Sequence, residues 1–292
     1  MKSYTILRNL YGRLTNNTTT INLTLGDELI NDGLREVLGM PENWKFLETT
    51  LTATTIASTA SYFFPYDYDE LLSVKITSGD LDYIPKQITN RDEWNELNAV
   101  PYESDFVTHF YVLDRRIQFF PIPATAGNVI TYTYKRHIVD LSEADYTTGT
   151  VAVTNNSTVV TGTGTTFTAA MVGRYIKVGG TGDRYWYRIS GFTNATTIAI
   201  EVPYAGLTVT GQAFTIGQMS PLPENHDKAP VYYAVSEYWY QNDDLNRGDR
   251  YLKKFEQQKQ MLVEENISKT MELGLTDEAI MRNPNWYQHN LS

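Results

Sequence analysis

The sequence predicts an α+β protein: a helical bundle from the N- and C-terminal helices, an antiparallel β domain in the middle, and an inserted small β-sandwich or barrel domain. Three observations carry that prediction. Apolar residues recur every third or fourth position near both ends and every second position in the middle. A Gly/Thr-rich stretch then carries short strand-like runs about 8–12 residues apart. The 292 residues allow two or three domains of about 100–200 residues each.

Taken in order, Ile6, Leu7, Leu10 and Leu14 predict a first helix, broken at Asn16-Asn17-Thr18. A second helix, with Leu29, Ile30, Leu34, Val37 and Leu38 on one face, is expected to be capped near Thr24. Asp27 and Glu28 then fall in its first turn and Gly39-Met40-Pro41 at its end. Residues 1–48 and 221–272 are assigned to the bundle and 49–146 to the β domain. Within the latter, Leu72, Val74 and Ile76 alternate with Ser73, Lys75 and Thr77. Similar runs are Tyr62–Phe64, Phe106–Leu113, Arg116–Phe120 and Val129–Tyr134, interrupted by a short helix, Thr89–Leu97, capped by Thr89 and Asp92.

Residues 147–217 form the small β domain, with strands expected at Thr158–Thr161, Arg174–Val178, Tyr185–Ser190, Thr197–Val202 and Ala213–Ile216. Pro221 and Pro223 mark its end. Val231, Ala234, Val235, Tyr238 and Trp239 then make a helical stripe, broken over Gln241–Gly248. A charged helix is predicted from Arg250 to about Lys269, and residues 273–292 are read as a C-terminal tail.

Composition narrows function. Cysteine is absent, which removes disulfides, thiolate zinc sites and cysteine nucleophiles. The formal charge of −10 argues against a basic groove that wraps DNA, but suits a surface past which DNA slides without sticking. No apolar run predicts a signal peptide or a membrane span.

Gly162 and Gly164 lie between strand-like runs, without the following Lys-Ser/Thr and helix of a phosphate loop, so a turn or bulge is expected. Glu224, His226 and Asp227 lack a spaced second histidine, so acids capping a helix start are expected rather than a metal site. His109, His137 and His289 are scattered. Asp67-Tyr68-Asp69-Glu70 and Asp243-Asp244 read as turns. No catalytic residue, cofactor site or metal site is assigned, and the chain is not read as an enzyme. Tyr185-Trp186-Tyr187 is either core packing or an aromatic platform with Tyr185 and Tyr187 on one face.

Three stretches carry a resemblance. The first is Asn9-Leu10-Tyr11-Gly12-Arg13-Leu14, with Asp32-Gly33-Leu34-Arg35 and Asn43-Trp44-Lys45-Phe46-Leu47-Glu48. The second is Asn90-Arg91-Asp92-Glu93-Trp94, with Tyr132-Thr133-Tyr134-Lys135-Arg136 and the run from Ala144 to Val151; the third is the Gly/Thr module. In these the chain resembles the head-to-tail connector proteins of tailed bacteriophages, also called adaptor or head-completion proteins.

The resemblance implies a virion protein of the head-tail junction, made in the host cytoplasm. It implies a homo-oligomeric ring, commonly of twelve copies, beneath the portal protein and above a tail or nozzle protein. Genomic DNA would pass through its lumen without sequence-specific binding, and no membrane is involved. Partner-binding is expected at Pro284, Trp286 and Tyr287 of the tail and at Tyr185 and Tyr187. The competing reading is a tail-fibre or carbohydrate-binding protein, although no internal repeat supports it. A hydrolase built on Asp67 or Asp69 is a third.

Overall fold

The computed structural model describes residues 1–40, 44–65, 67–180, 183 and 185–282, with side chains as far as residue 266. It is a mixed helix-and-sheet protein. The helices are α1 (Tyr4–Thr15), α2 (Thr20–Leu38), α3 (Arg91–Leu97), α4 (Ala229–Gln241) and α5 (Leu245–Arg282). The chain divides into two compact units, Met1–Asn43 with Asp140–Ser292, and Trp44–Val139.

In the first unit α1, α2, α4 and α5 pack together: α4 touches each of the other three, and α1 also touches α2. Their core holds Leu7 and Tyr11, Ile30, Leu34 and Val37, Val231 and Val235, and Phe255 and Leu262. In α2 and α4 these are the apolar positions of the sequence pattern, so burial follows the period there; in α1 only Leu7 of the expected stripe is buried, Ile6 is exposed, and Tyr4 and Tyr11 fill the core instead. The turn between α1 and α2 is tight. Asn16 takes a left-handed conformation (φ 54) and the Thr19 side chain accepts the Asn22 N–H. The α2 cap is therefore Thr19, not Thr24, and Asp27 lies inside the helix, where its carboxylate takes the Arg8 Nε–H of α1 at 2.8 Å.

The same unit contains a seven-stranded antiparallel sheet. Its order is Val209–Gln212, Thr150–Val153, Val159–Thr163, Thr197–Ile200, Tyr187–Asn194, Tyr175–Val178 and Phe214–Gly217. The two outermost strands follow one another across Ala213, so one stretch of chain borders both ends of the sheet and curls it on itself. Alternate residues such as Val151, Val160, Ile176, Ile189, Ile198 and Ile216 fill its interior.

The second unit is a pair of four-stranded sheets. One runs Glu48–Thr54, Val129–Arg136, Tyr68–Ser78, Leu81–Tyr83; the other Ser61–Phe63, Arg116–Phe120, His109–Leu113, Lys86–Ile88. Val74, Ile76, Ile130 and Tyr132 from the first join Tyr62, Phe110, Ile117 and Phe119 from the second in one core. The sequence pattern predicts antiparallel pairing throughout, but two pairs are parallel: Lys86–Ile88 with His109–Leu113, and Glu103–Ser104 with Ile122–Pro123. A parallel pair needs a crossover, and α3 lies in the first of these connections. Asn90, not Thr89, caps α3, accepting the Asp92 N–H, and Trp94 stacks on Tyr111.

Two further boundaries differ from the sequence reading. The α4–α5 link is only residues 242–244, because Asp243 turns left-handed (φ 57) and Asp244 caps α5 by accepting the Arg247 N–H. From there α5 runs without a break to Arg282, past Leu273, where the tail was expected to begin. Among the described residues no helix is long and apolar enough to cross a membrane.

Candidate functional site

The residues with chemical potential disperse into separate structural roles. Gly162 lies in the strand Val159–Thr163, its N–H already given to Thr196 O, and Gly164 turns the chain at φ 67. A Cβ on Gly149 would meet Thr163 O at 2.6 Å, so the glycines here let two backbones touch. No helix follows them: the next element is the single turn Ala169–Met171. The arrangement cannot cradle a phosphate as a phosphate loop does.

Glu224, His226 and Asp227 point to different partners. Asp227 is buried and takes the Lys2 ammonium at 3.1 Å from both oxygens. The His226 ring is buried against α5, with Nδ1 3.2 Å from Gln258 Oε1 and Nε2 3.3 Å from Glu265 Oε1. Glu224 is exposed. Among the described residues no three His, Asp or Glu side chains gather as metal ligands would. His109 meets Thr108 Oγ1 at 2.9 Å, His137 is exposed, and His289 lies outside the described residues. Asp67 is buried and its carboxylate accepts the Tyr134 hydroxyl at 2.9 Å, while Asp69 and Glu70 face solvent.

The aromatic triplet splits. Tyr187 is 5% exposed, in the core of the small sheet, its hydroxyl donating to Asp183 Oδ2 at 2.5 Å and accepting the Ala205 N–H. Burial, then that bond to Asp183, pushes its pKa up to about 12. Tyr185 is 73% exposed, before the strand begins. The two therefore do not share one open face. Trp186, half-buried, carries the Lys177 ammonium 5.8 Å from its ring centroid. Pro284, Trp286 and Tyr287 lie outside the described residues.

Sequence reasoning missed a different locality, where α1 meets the small sheet. Ser3 Oγ donates to Asp145 Oδ2 at 2.9 Å and the Asp145 N–H donates to Thr5 Oγ1. Arg174, nearly buried, donates to the carbonyls of Ala144 and Ile216. Burial lowers its pKa, opposed by Glu143 and Asp145. Beside this knot is an open cleft of about 340 Å³ lined by Ile6, Asp145, Lys177, Trp186, Phe214 and Thr215. Its apolar floor, single ammonium and single carboxylate suit contact with another protein surface more than bond making. No local sequence signal could have found it, because its residues lie in five separate stretches.

Residues 2–157 match the model of a family described as the SU10 adaptor protein, just over half of the chain. The match spans α1, α2, the whole second unit and the strand Thr150–Val153. No curated protein matches the chain.

Proposed function

The chain belongs to the SU10 adaptor protein family, and from that premise, a phage structural adaptor that is part of the virion, we propose that it acts as a ring between portal and tail. Subunits made in the host cytoplasm assemble, commonly twelve to a ring, beneath the portal protein. A tail or nozzle protein docks below, and DNA passes through the middle. The supporting observation is that helices from both ends of the chain pack in one unit, α1 and α2 against α4 and α4 against α5. A closed ring needs a head-to-tail interface in which two different patches meet, and a bundle assembled from both ends offers two distinct helical faces.

The tail, with Pro284, Trp286 and Tyr287, is proposed as the portal contact, and Tyr185 as an exposed contact of the small sheet. Electron micrographs of the protein mixed with its portal test the reading: stacked rings are expected, and unaltered portal particles would refute it. In the same mixture, a chain ending at Gly274 should lose portal binding. Undiminished binding would remove the tail from the interface.

A further inference from the structure

With 34 acidic side chains against 24 basic ones, a cation in this chain readily finds a carboxylate, as Lys2, Arg8, Lys75 and Lys259 do. The first half of α5 departs from that pattern. Among the described residues Arg250 and Lys254 form no ion pair, and Arg247 shares Asp244 with the backbone N–H that Asp244 caps. Positions 247, 250 and 254 recur at three and four residues, so the three cations lie along one side of the helix. The acids of the same stretch are on its other flank and are engaged there. Asp249 accepts the Tyr240 hydroxyl at 2.7 Å, and Glu256 takes the Lys259 ammonium at 3.4 Å.

Like charges at these spacings weaken a helix, so the stripe costs the free protein stability. Two of its members are also held in place by rings. The Arg247 guanidinium lies 4.4 Å from the Trp239 ring centroid, and the Lys254 ammonium lies 4.7 Å and 5.6 Å from those of Tyr251 and Tyr232. Side chains fixed in this way give up little freedom on meeting an anion. Farther along the same side the helix is uncharged. Gln257, Gln258 and Met261 line a shallow hollow of about 330 Å³, and Met261 is 49% exposed.

We propose that this side of α5 docks an acidic helix of another virion protein. From Arg247 to Lys254 is two turns, about 10 Å. Carboxylates three and four residues apart on the partner then meet the cations in turn, and its next apolar side chain reaches Met261. The guanidinium forks of Arg247 and Arg250 suit paired carboxylate oxygens. The shortness of the stripe favours such an element over duplex DNA. Asp243 and Asp244 precede it and Glu264 and Glu265 follow it, so continuous phosphates would run into acids at both ends. The net charge of −10 opposes a long polyanion as well. The inference rests on the adaptor reading, which makes the partner a protein of the virion, and adds the chemistry of that partner.

The probe is a labelled helical peptide with glutamates at i, i+3 and i+7 followed by a leucine, beside a scrambled peptide of the same composition. At low salt, fluorescence anisotropy should show the patterned peptide binding, and added salt should release it. The scrambled peptide, and the patterned peptide with an Arg250→Glu, Lys254→Glu variant, should each bind about tenfold or more weakly. Short duplex DNA should not compete. The melt of Arg250→Glu alone should be unchanged or raised, because like charges have been separated. No binding by the unaltered protein, equal binding by the variant or equal binding of the scrambled peptide would overturn the proposal. Displacement by DNA would overturn it too and assign the stripe to nucleic acid. Should Lys254→Glu fail to fold, Arg250→Glu, exposed and free of ring contacts, decides alone. Portal mixtures keep the two readings apart. Portal particles left unaltered would remove the ring while peptide binding stands, whereas peptide binding indifferent to charge reversal would remove the stripe while the ring stands.

Discussion

Asn31 lends α2 the hydrogen-bonding pattern of a strand. Its side chain accepts the Leu141 N–H at 2.8 Å and donates to Leu141 O at 3.1 Å, and both residues are buried. Replacing it by Leu leaves those two backbone groups without partners, at about 1–3 kcal/mol each, far more than a surface change would cost. We expect Asn31→Leu to lower unfolding stability by about 2–4 kcal/mol in a denaturant titration, and an unaltered midpoint would contradict that role. The tyrosines make a second prediction. Burial raises the pKa of Tyr4, Tyr11 and Tyr132, and Tyr187 stands at about 12, against about 10 in an unfolded chain. A raised folded pKa contributes stability that is complete below pH 10 and is lost as pH climbs through the folded value. The fold should therefore hold to about pH 10 and weaken toward pH 12, with tyrosinate absorbance and circular dichroism changing together. Tyr187→Phe should flatten that decline.

At the scale of elements, the contact between α2 and α4 turns on Gly33. A Cβ there would meet Pro230 O at 2.8 Å and the Tyr233 Cβ at 2.9 Å, so a methyl must push the helices apart. Gly33→Ala should cost about 1–3 kcal/mol despite alanine's better helix propensity. A stabilised Gly33→Ala variant would show that the helices yield freely. The sequence exposed helix faces well, since Leu34, Val37, Val231 and Val235 all sit on periodic stripes and all are buried. It exposed caps poorly. Thr24 and Thr89 look as fit for caps as Thr19 and Asn90, because neighbouring polar residues look alike until one of them takes the extended backbone of a cap. The strand Glu48–Thr54 was missed for a related reason. Its threonines alternate with little apolar contrast, and an edge strand buries too little to leave a strong pattern.

Across the whole molecule, an excess of ten negative charges should keep duplex DNA unbound. No retardation is expected in a gel-shift at low salt, where any attraction would be strongest. A retarded band that disappears with added salt would reveal a basic track masked by the total. Mixed α and β content was legible because each periodicity is local. The knot of Ser3, Asp145 and Arg174 was not, because pairings across 30, 42 and 142 residues leave no period to read.

The discontinuity of the first unit has a temporal meaning. A ribosome delivers Trp44–Val139 complete with every strand of its own two sheets before α4 exists. Meanwhile α1 and α2, with Tyr11 and Leu34 unsheltered, must wait for Val231 and Phe255 to emerge. The nascent polypeptide finishes its middle first and its beginning last.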